Sequence, residues 1–403
     1  MNVLDSQSGI ASAGSGILSG KSRPSRLKLI FSTFDLRKTD ILLPLLVISL
    51  TVIGIISVSS AAPSLRSRQI LGFMLALAAM VLALIPDYHA LLLLGPAGYA
   101  VTLVLLEAVL LYGTARDDAV RWIEIGGVLF QPTELAKILL ILFYAQFIMK
   151  YKDKMSGLVC TAASFALILP PVYLIAREPD LSTLIMVFLI FCVMIFVGGI
   201  SWKFVLTVLG LAVPSGIVVF SLILREGQTI IEDFQRRRIL AWLYPEQYPD
   251  TAYQTLNSIM AIGSGQLTGK GYNTNGISSL LNSGYISEAQ TDLIFTVIGE
   301  EFGFIGTTAV VLLITAIAVR CLVIALHADD IAGTVIAAGV GGWVGFQGFM
   351  NIGVVTGILP NTGIPLPFVS YGLTSLVSLY MGIGLVLNVH MRSASDLNTG
   401  MFR

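Results

Sequence analysis

The chain has 403 residues and a formal net charge of zero; 55% of the residues are hydrophobic and 12% charged, about half the charged share of an average soluble protein. This excludes a water-soluble globule and a basic nucleic-acid-binding face, and it implies an integral membrane protein. Cys160, Cys192 and Cys321 lie in apolar runs and His89, His327 and His390 are scattered, so neither a disulfide framework nor a metal-ligand spacing is present.

Residues 1–38 carry Lys21, Arg23, Arg26, Lys28, Arg37 and Lys38 among many Ser and Gly. That composition predicts a flexible, basic, cytoplasmic tail. The first apolar run, "ILLPLLVISLTVIGIISV", precedes "SSAAPS", which has the small-residue character of a signal-peptidase site. It is longer than a signal core, so it reads as an uncleaved span. Apolar stretches then recur over 41–58, 69–85, 91–113, 132–149, 158–176, 181–199, 203–224, 304–326, 331–357 and 368–390. Each is long enough to cross a hydrocarbon core of about 30 Å as a helix.

Lipid offers no partners to the backbone, so the spans must be helices. The expected fold is an all-α polytopic membrane protein. Ten transmembrane helices occupy 39–392, with a large extracytoplasmic loop, 225–291, between spans 7 and 8 and a short cytoplasmic tail over 393–403. An even number of spans puts both termini on one side. The basic tail and the loop "KYKDKM" make that side cytoplasmic. Most charges near the bundle then fall outward: Arg121, Glu134, Lys137, Arg177, Glu178, Asp180, Arg236, Arg237, Arg238, Lys270 and Asp292.

In "FQPTELAKILL", Pro132 suits a first helical turn and Glu134 its positive end. Glu134 and Lys137, three apart, share a face; they read either as a structural ion pair or as holders of an anionic head group. "QRRRIL" is either a solvated charge run or a set of guanidinium forks for a diphosphate. "GSGQLTGKGY" fails both the Walker and the dinucleotide spacing. Its glycines read as tight turns, with Lys270 a candidate anion contact. "GILPNTGIPLPFVSYG" has too many prolines for a continuous helix, and irregular backbone at membrane depth must be buried or line a cavity. Ser370 and Tyr371 are its candidate hydroxyl donors.

"QTDLIFTVIGEEFGFIG" opens a run from Asp292 to Leu326 whose helical length, about 52 Å, exceeds one membrane crossing. A break is expected between Gly303 and Gly306, with Thr291 as N-cap and Asp292 in the first turn. On that helix Asp292 faces a cavity mouth and Glu301 the opposite side. Partial desolvation of Asp292 would raise its pKa toward that of a useful general base.

"TDLIFTVIGEEFG", "QPTELAK", "REPDLST", "YQTLNSIMAIGSGQLTGKGY" and "NIGVVTGILPNTGIPLPFVSYG" resemble, in order, the signature blocks of the SEDS family (shape, elongation, division and sporulation), which includes RodA, FtsW and SpoVE. The short end after Arg392 and the modest basic tail favour the RodA side of the family, with a part in cell elongation or in division both left open. The likeness runs from about residue 41 to 392. It implies a peptidoglycan glycosyltransferase that polymerises lipid II with inversion on the outer face of the bacterial cytoplasmic membrane. It also implies a class B penicillin-binding protein, the transpeptidase, as partner, and a divalent cation, Mg²⁺, near the substrate diphosphate. By the same resemblance Asp292 is the catalytic carboxylate, Glu134 and Lys137 line the cavity, and Arg121 is a candidate diphosphate contact; Arg236, Arg237, Arg238, Lys270, Gln254 and Ser370 are further candidates for substrate binding. Gln290, Leu293 and Leu373 depart from the family pattern, the last leaving the turn after "SYG" open. Two rival readings are a flippase for lipid II and a non-catalytic membrane scaffold for a penicillin-binding protein.

Overall fold

The computed structural model describes residues 39–116, 119–126, 128–225, 227, 231–273 and 288–396. The expected N-terminal tail and residues 397–403 lie outside the described residues. Among the described residues ten long helices form the bundle: α1 (Leu42–Ala61), α2 (Arg66–Leu84), α4 (Gly95–Tyr112), α5 (Pro132–Tyr151), α6 (Leu158–Arg177), α7 (Leu181–Val197), α8 (Trp202–Ile223), α11 (Ile294–Leu326), α12 (Ile331–Val355) and α13 (Leu373–Asp396). Eight have the length and hydropathy of a membrane span, and the apolar α7 and α8 complete the set. A short helix, α3 (Tyr88–Leu92), precedes α4.

Two features were not expected from the sequence. Residues 114–130 form a small antiparallel sheet of order β1-β2-β3, from β1 (Thr114–Arg116), β2 (Ala119–Ile125) and β3 (Val128–Phe130). The segment between spans 7 and 8 is not simply a loop: it contains α9 (Asp233–Leu243) and α10 (Pro249–Ser264).

The centre of the bundle is α12, which packs on α5, α7, α11 and α13. Its sequence supplies small residues where neighbours come close. A Cβ on Gly348 would lie 2.7 Å from the Ile314 side chain of α11. Packing through small residues substitutes for the hydrophobic drive that lipid cannot give.

Helix α11 breaks where the length argument requires, at Gly303, with φ 62° and ψ −156°, a region open in practice only to glycine. The break frees backbone groups inside the protein, and they find partners. The Phe304 and Ile305 amides donate to the carbonyls of Gln266 and Leu267, and the Lys270 and Gly271 amides donate to those of Glu300 and Glu301. The "GSGQLTGKG" glycines are thus a docking strip as well as a turn. A Cβ on Gly269 (φ +81°) would stand 2.1 Å from the Glu301 carbonyl oxygen. The helix starts later than expected. Leu293, not Thr291, holds the N-cap position, so Asp292 lies in the turn before the helix rather than in its first turn.

Candidate active site

A cavity of about 270 Å³ sits between β2, α5, α7, α9, α10, the turn before α11 and the segment joining α12 to α13. Arg121, Glu134, Lys137, Asp180, Arg238, Gln254, Glu288 and Asp292 all line it. Six of the residues assigned to catalysis or substrate binding therefore line one cavity: Asp292, Glu134, Lys137, Arg121, Arg238 and Gln254.

Asp292 is held through its backbone. Asn351 Nδ2 of α12 donates to the Asp292 carbonyl and to the Ile364 carbonyl, each at 2.7 Å. The Ser370 hydroxyl donates to the Thr291 carbonyl, and the Tyr371 amide donates to the Gln290 carbonyl at 2.8 Å. The irregular, proline-rich segment therefore seats the Thr-Asp turn. The carboxylate itself stays on the cavity wall with the Thr291 hydroxyl 3.1 Å from Oδ1. Burial pushes the Asp292 carboxyl above the ordinary carboxylate range; the Thr291 hydroxyl and Arg238 oppose the rise and Glu288 adds to it. Those are the conditions for a carboxylate with increased proton affinity.

Lys137 Nζ donates to Glu134 Oε1 at 2.7 Å with both side chains almost wholly buried. The ammonium also lies 4.5 Å from the centroid of the Trp343 ring. Trp343 Nε1 donates to Gln347 Oε1 at 2.6 Å, and Gln347 Nε2 donates to the Pro365 carbonyl at 2.9 Å. The Glu134–Lys137 pair is thus both an ion pair and a cavity wall, so the two readings offered by the spacing are compatible.

Arg121 projects from β2, its Nη1 3.7 Å from Asp180 Oδ2. Asp180 caps α7 by accepting from the Thr183 amide and hydroxyl. Beside it Glu178 is fully buried, and neither of its carboxylate oxygens has a hydrogen-bond partner. Burial raises the Glu178 carboxyl to about 9; Asp180 adds to the rise and Arg121 opposes it.

Four of the residues assigned to substrate binding lie off the cavity. The three consecutive arginines lie on α9, where successive residues point about 100° apart, and only Arg238 lines the cavity. Arg236 donates to the Ile223 and Leu224 carbonyls, closing the end of α8, and Arg237 is exposed. Lys270 pairs with Glu300 Oε1 at 2.8 Å beside the α11 break and is not a cavity-lining residue. Ser370 is buried and spends its hydroxyl on backbone, accepting from the Leu366 amide at 2.7 Å. Its role is to position the turn.

Asn351, Gln347 and Trp343 escaped the sequence reading. The signal was available: a polar amide such as Asn351 in an apolar span is expensive in lipid, so it is there for a partner. Among the described residues no three His, Cys, Asp or Glu side chains group closely enough to hold a metal ion.

The family model described as "Cell cycle protein", which carries the names FtsW, RodA and SpoVE, matches residues 31–395. The peptidoglycan glycosyltransferase MrdB of Escherichia coli (strain K12) is 38% identical over 296 residues, covering 73% of this chain and 77% of that protein. The probable peptidoglycan glycosyltransferase FtsW of Geobacter sulfurreducens is 31% identical over 378 residues, covering 89% and 96%. The crystal structure of the Thermus thermophilus rod shape determining protein RodA superimposes with a TM-score of 0.64 at 28% identity, covering 87% of this chain and 96% of that one. A chain from a structure described as the coordination of polymerization and crosslinking by a peptidoglycan synthase complex gives 0.74 at 28% identity, covering 89% and 99%.

Proposed function

The chain belongs to the FtsW, RodA and SpoVE family, and from that membership we propose that it is a peptidoglycan glycosyltransferase that polymerises lipid II at the outer face of the bacterial cytoplasmic membrane. The observation that carries the mechanism is one cavity holding a carboxylate of raised proton affinity together with Lys137, Arg121 and Arg238. In the reaction the acceptor sugar hydroxyl attacks the anomeric carbon of the donor. Asp292 takes the hydroxyl proton as the new C–O bond forms. The bond from that carbon to the diphosphate breaks, and the lipid diphosphate leaves with the electron pair. A positioned base contributes about 10²–10⁴-fold, and the cationic side chains oppose the charge that develops on the leaving group. No nucleotide is consumed.

The divalent cation implied by the resemblance finds no cage of protein ligands among the described residues. Magnesium commonly binds through one or two carboxylates plus substrate phosphates, and the roles assigned here to Asp292 and the cations do not depend on it. Both termini are placed in the cytoplasm, the side to which the basic loops assign them. The likeness to a chain of a peptidoglycan synthase complex supports a crosslinking partner, which we identify as a class B penicillin-binding protein.

A flippase would pass lipid II through the same cavity without joining sugars, and a scaffold would only hold its partner. Purified protein in detergent, where no sidedness exists, is expected to convert lipid II to glycan polymer. Absence of polymer, with lipid II still scrambled across proteoliposomes, would favour transport instead.

A further inference from the structure

A second cavity, of about 170 Å³, adjoins the first. Arg238 and Asn361 line both. The chemistry of the two is opposite. The first is walled by charged side chains; beyond Arg238 the second is lined mainly by Ala241 and Trp242 of α9, Leu256 and Ile259 of α10, and Leu359.

The second cavity is fixed in shape. Trp242 Nε1 donates to the Gly357 carbonyl at 2.9 Å, tying α9 to the segment after α12. Ile259 Cδ1 would lie 2.9 Å from a Cβ on Gly357, a position with φ +77°. Its rim is apolar and exposed. Tyr253, Leu256 and Met260, spaced three and four apart on α10, are 45%, 42% and 54% exposed. Ala252, Ser258 and Ala261 occupy the buried face. An exposed apolar stripe on a helix beside a bundle of spans suits the membrane interface, and Leu256 belongs both to that stripe and to the cavity lining.

A guanidinium between a polar chamber and an apolar, lipid-facing one is complementary to an amphiphile with a phosphate group at the junction. Its fork suits phosphate oxygens. The geometry points to the second cavity as the seat of the first isoprene units of a polyprenyl diphosphate, with the diphosphate at Arg238 and the rest of the chain leaving over α10 into the bilayer. This rests on the glycosyltransferase reading, since it places the lipid end of that reaction's substrate.

The test is photolabelling of the full-length protein in detergent with a polyprenyl diphosphate, lacking sugars, that carries a diazirine in its first isoprene unit. Label is expected in peptides of residues 241–259, displaced by unlabelled polyprenyl diphosphate and not by polyprenyl alcohol or phosphatidylglycerol at equal concentration. Arg238→Gln, and separately the cavity-filling Leu256→Trp and Thr255→Leu, are each expected to weaken it roughly tenfold, an effect of about 1.4 kcal/mol. The two fillings guard against misfolding of either, and the thermal midpoint of each is read alongside. Label spread evenly over lipid-facing helices, or equal displacement by the alcohol or the phospholipid, would overturn the assignment. Polymer formation by the same wild-type sample separates the two claims. Polymer without specific label sinks this site alone, whereas specific label without polymer sinks the enzymatic reading alone.

Discussion

Asn351 Nδ2 donates to the backbone carbonyl of Asp292 at 2.7 Å, so an amide near the C-terminal end of the central helix fixes the turn that carries the reacting carboxylate. The same nitrogen holds the Ile364 carbonyl, which locks the proline-rich segment to that turn. Asn351→Leu removes both bonds without adding charge. Because a misplacement of about 1 Å can cost about 10²-fold in rate, kcat for lipid II polymerisation is expected to fall by about that factor with KM little changed. Steady-state kinetics of the purified variant check it.

Lys137 and Glu134 form a buried pair, and breaking one strands the other. Removing a single partner from such a pair costs about 3–5 kcal/mol. Lys137→Met is therefore expected to lower the thermal midpoint in detergent sharply. Adding Glu134→Gln should restore most of the stability and none of the polymerisation, because the cation that faces the cavity is still missing. Thermal melts and polymer assays on the same preparations check both halves.

Gly269 lies at φ +81°, and a Cβ there would stand 2.1 Å from the Glu301 carbonyl oxygen. The obstacle is backbone and cannot swing away. Gly269→Ala is expected to undo the docking of residues 266–271 on the break in α11, at a cost of about 1–3 kcal/mol from the backbone conformation alone. Hydrogen exchange of the Phe304 and Ile305 amides is the direct measurement, since their acceptors are the carbonyls of Gln266 and Leu267.

Glu178 gives a pH signature. Its carboxyl, raised from 4.5 to about 9 by burial, stays protonated in the folded chain over a range where the unfolded chain has released the proton. Between those two values the folded state binds more protons, so stability falls as pH rises through the window and levels off above about 9. Glu178→Gln has no proton to lose. Its thermal midpoint is expected to exceed that of the natural chain near pH 8 and to match it near pH 4, which melts across the range would reveal.

Much of this architecture is legible in the chain because lipid is a severe solvent. Ten apolar runs give ten helices, and the 35-residue stretch from Asp292 to Leu326 is too long for one crossing, which locates the break near Gly303. The cavity was less legible. "QRRRIL" shows three equivalent arginines as text, and only the helical turn of α9 separates Arg238 from Arg236 and Arg237. Lys270 looked like an anion contact because its partner, Glu300, is 30 residues away and joins it only through the docking strip. The sheet and the helices α9 and α10 escaped notice because they are short and partly polar.

The most direct test of the account is the rate of glycan polymerisation from lipid II by purified Asp292→Asn protein, which keeps the shape of the side chain and removes the base. Folding is checked by the thermal midpoint, and substrate binding by the photolabelling described above. A loss of about 10²-fold or more in kcat, with binding retained, is expected of a base in the reacting turn. A variant that folds, binds and polymerises at near the natural rate would contradict the assignment of Asp292.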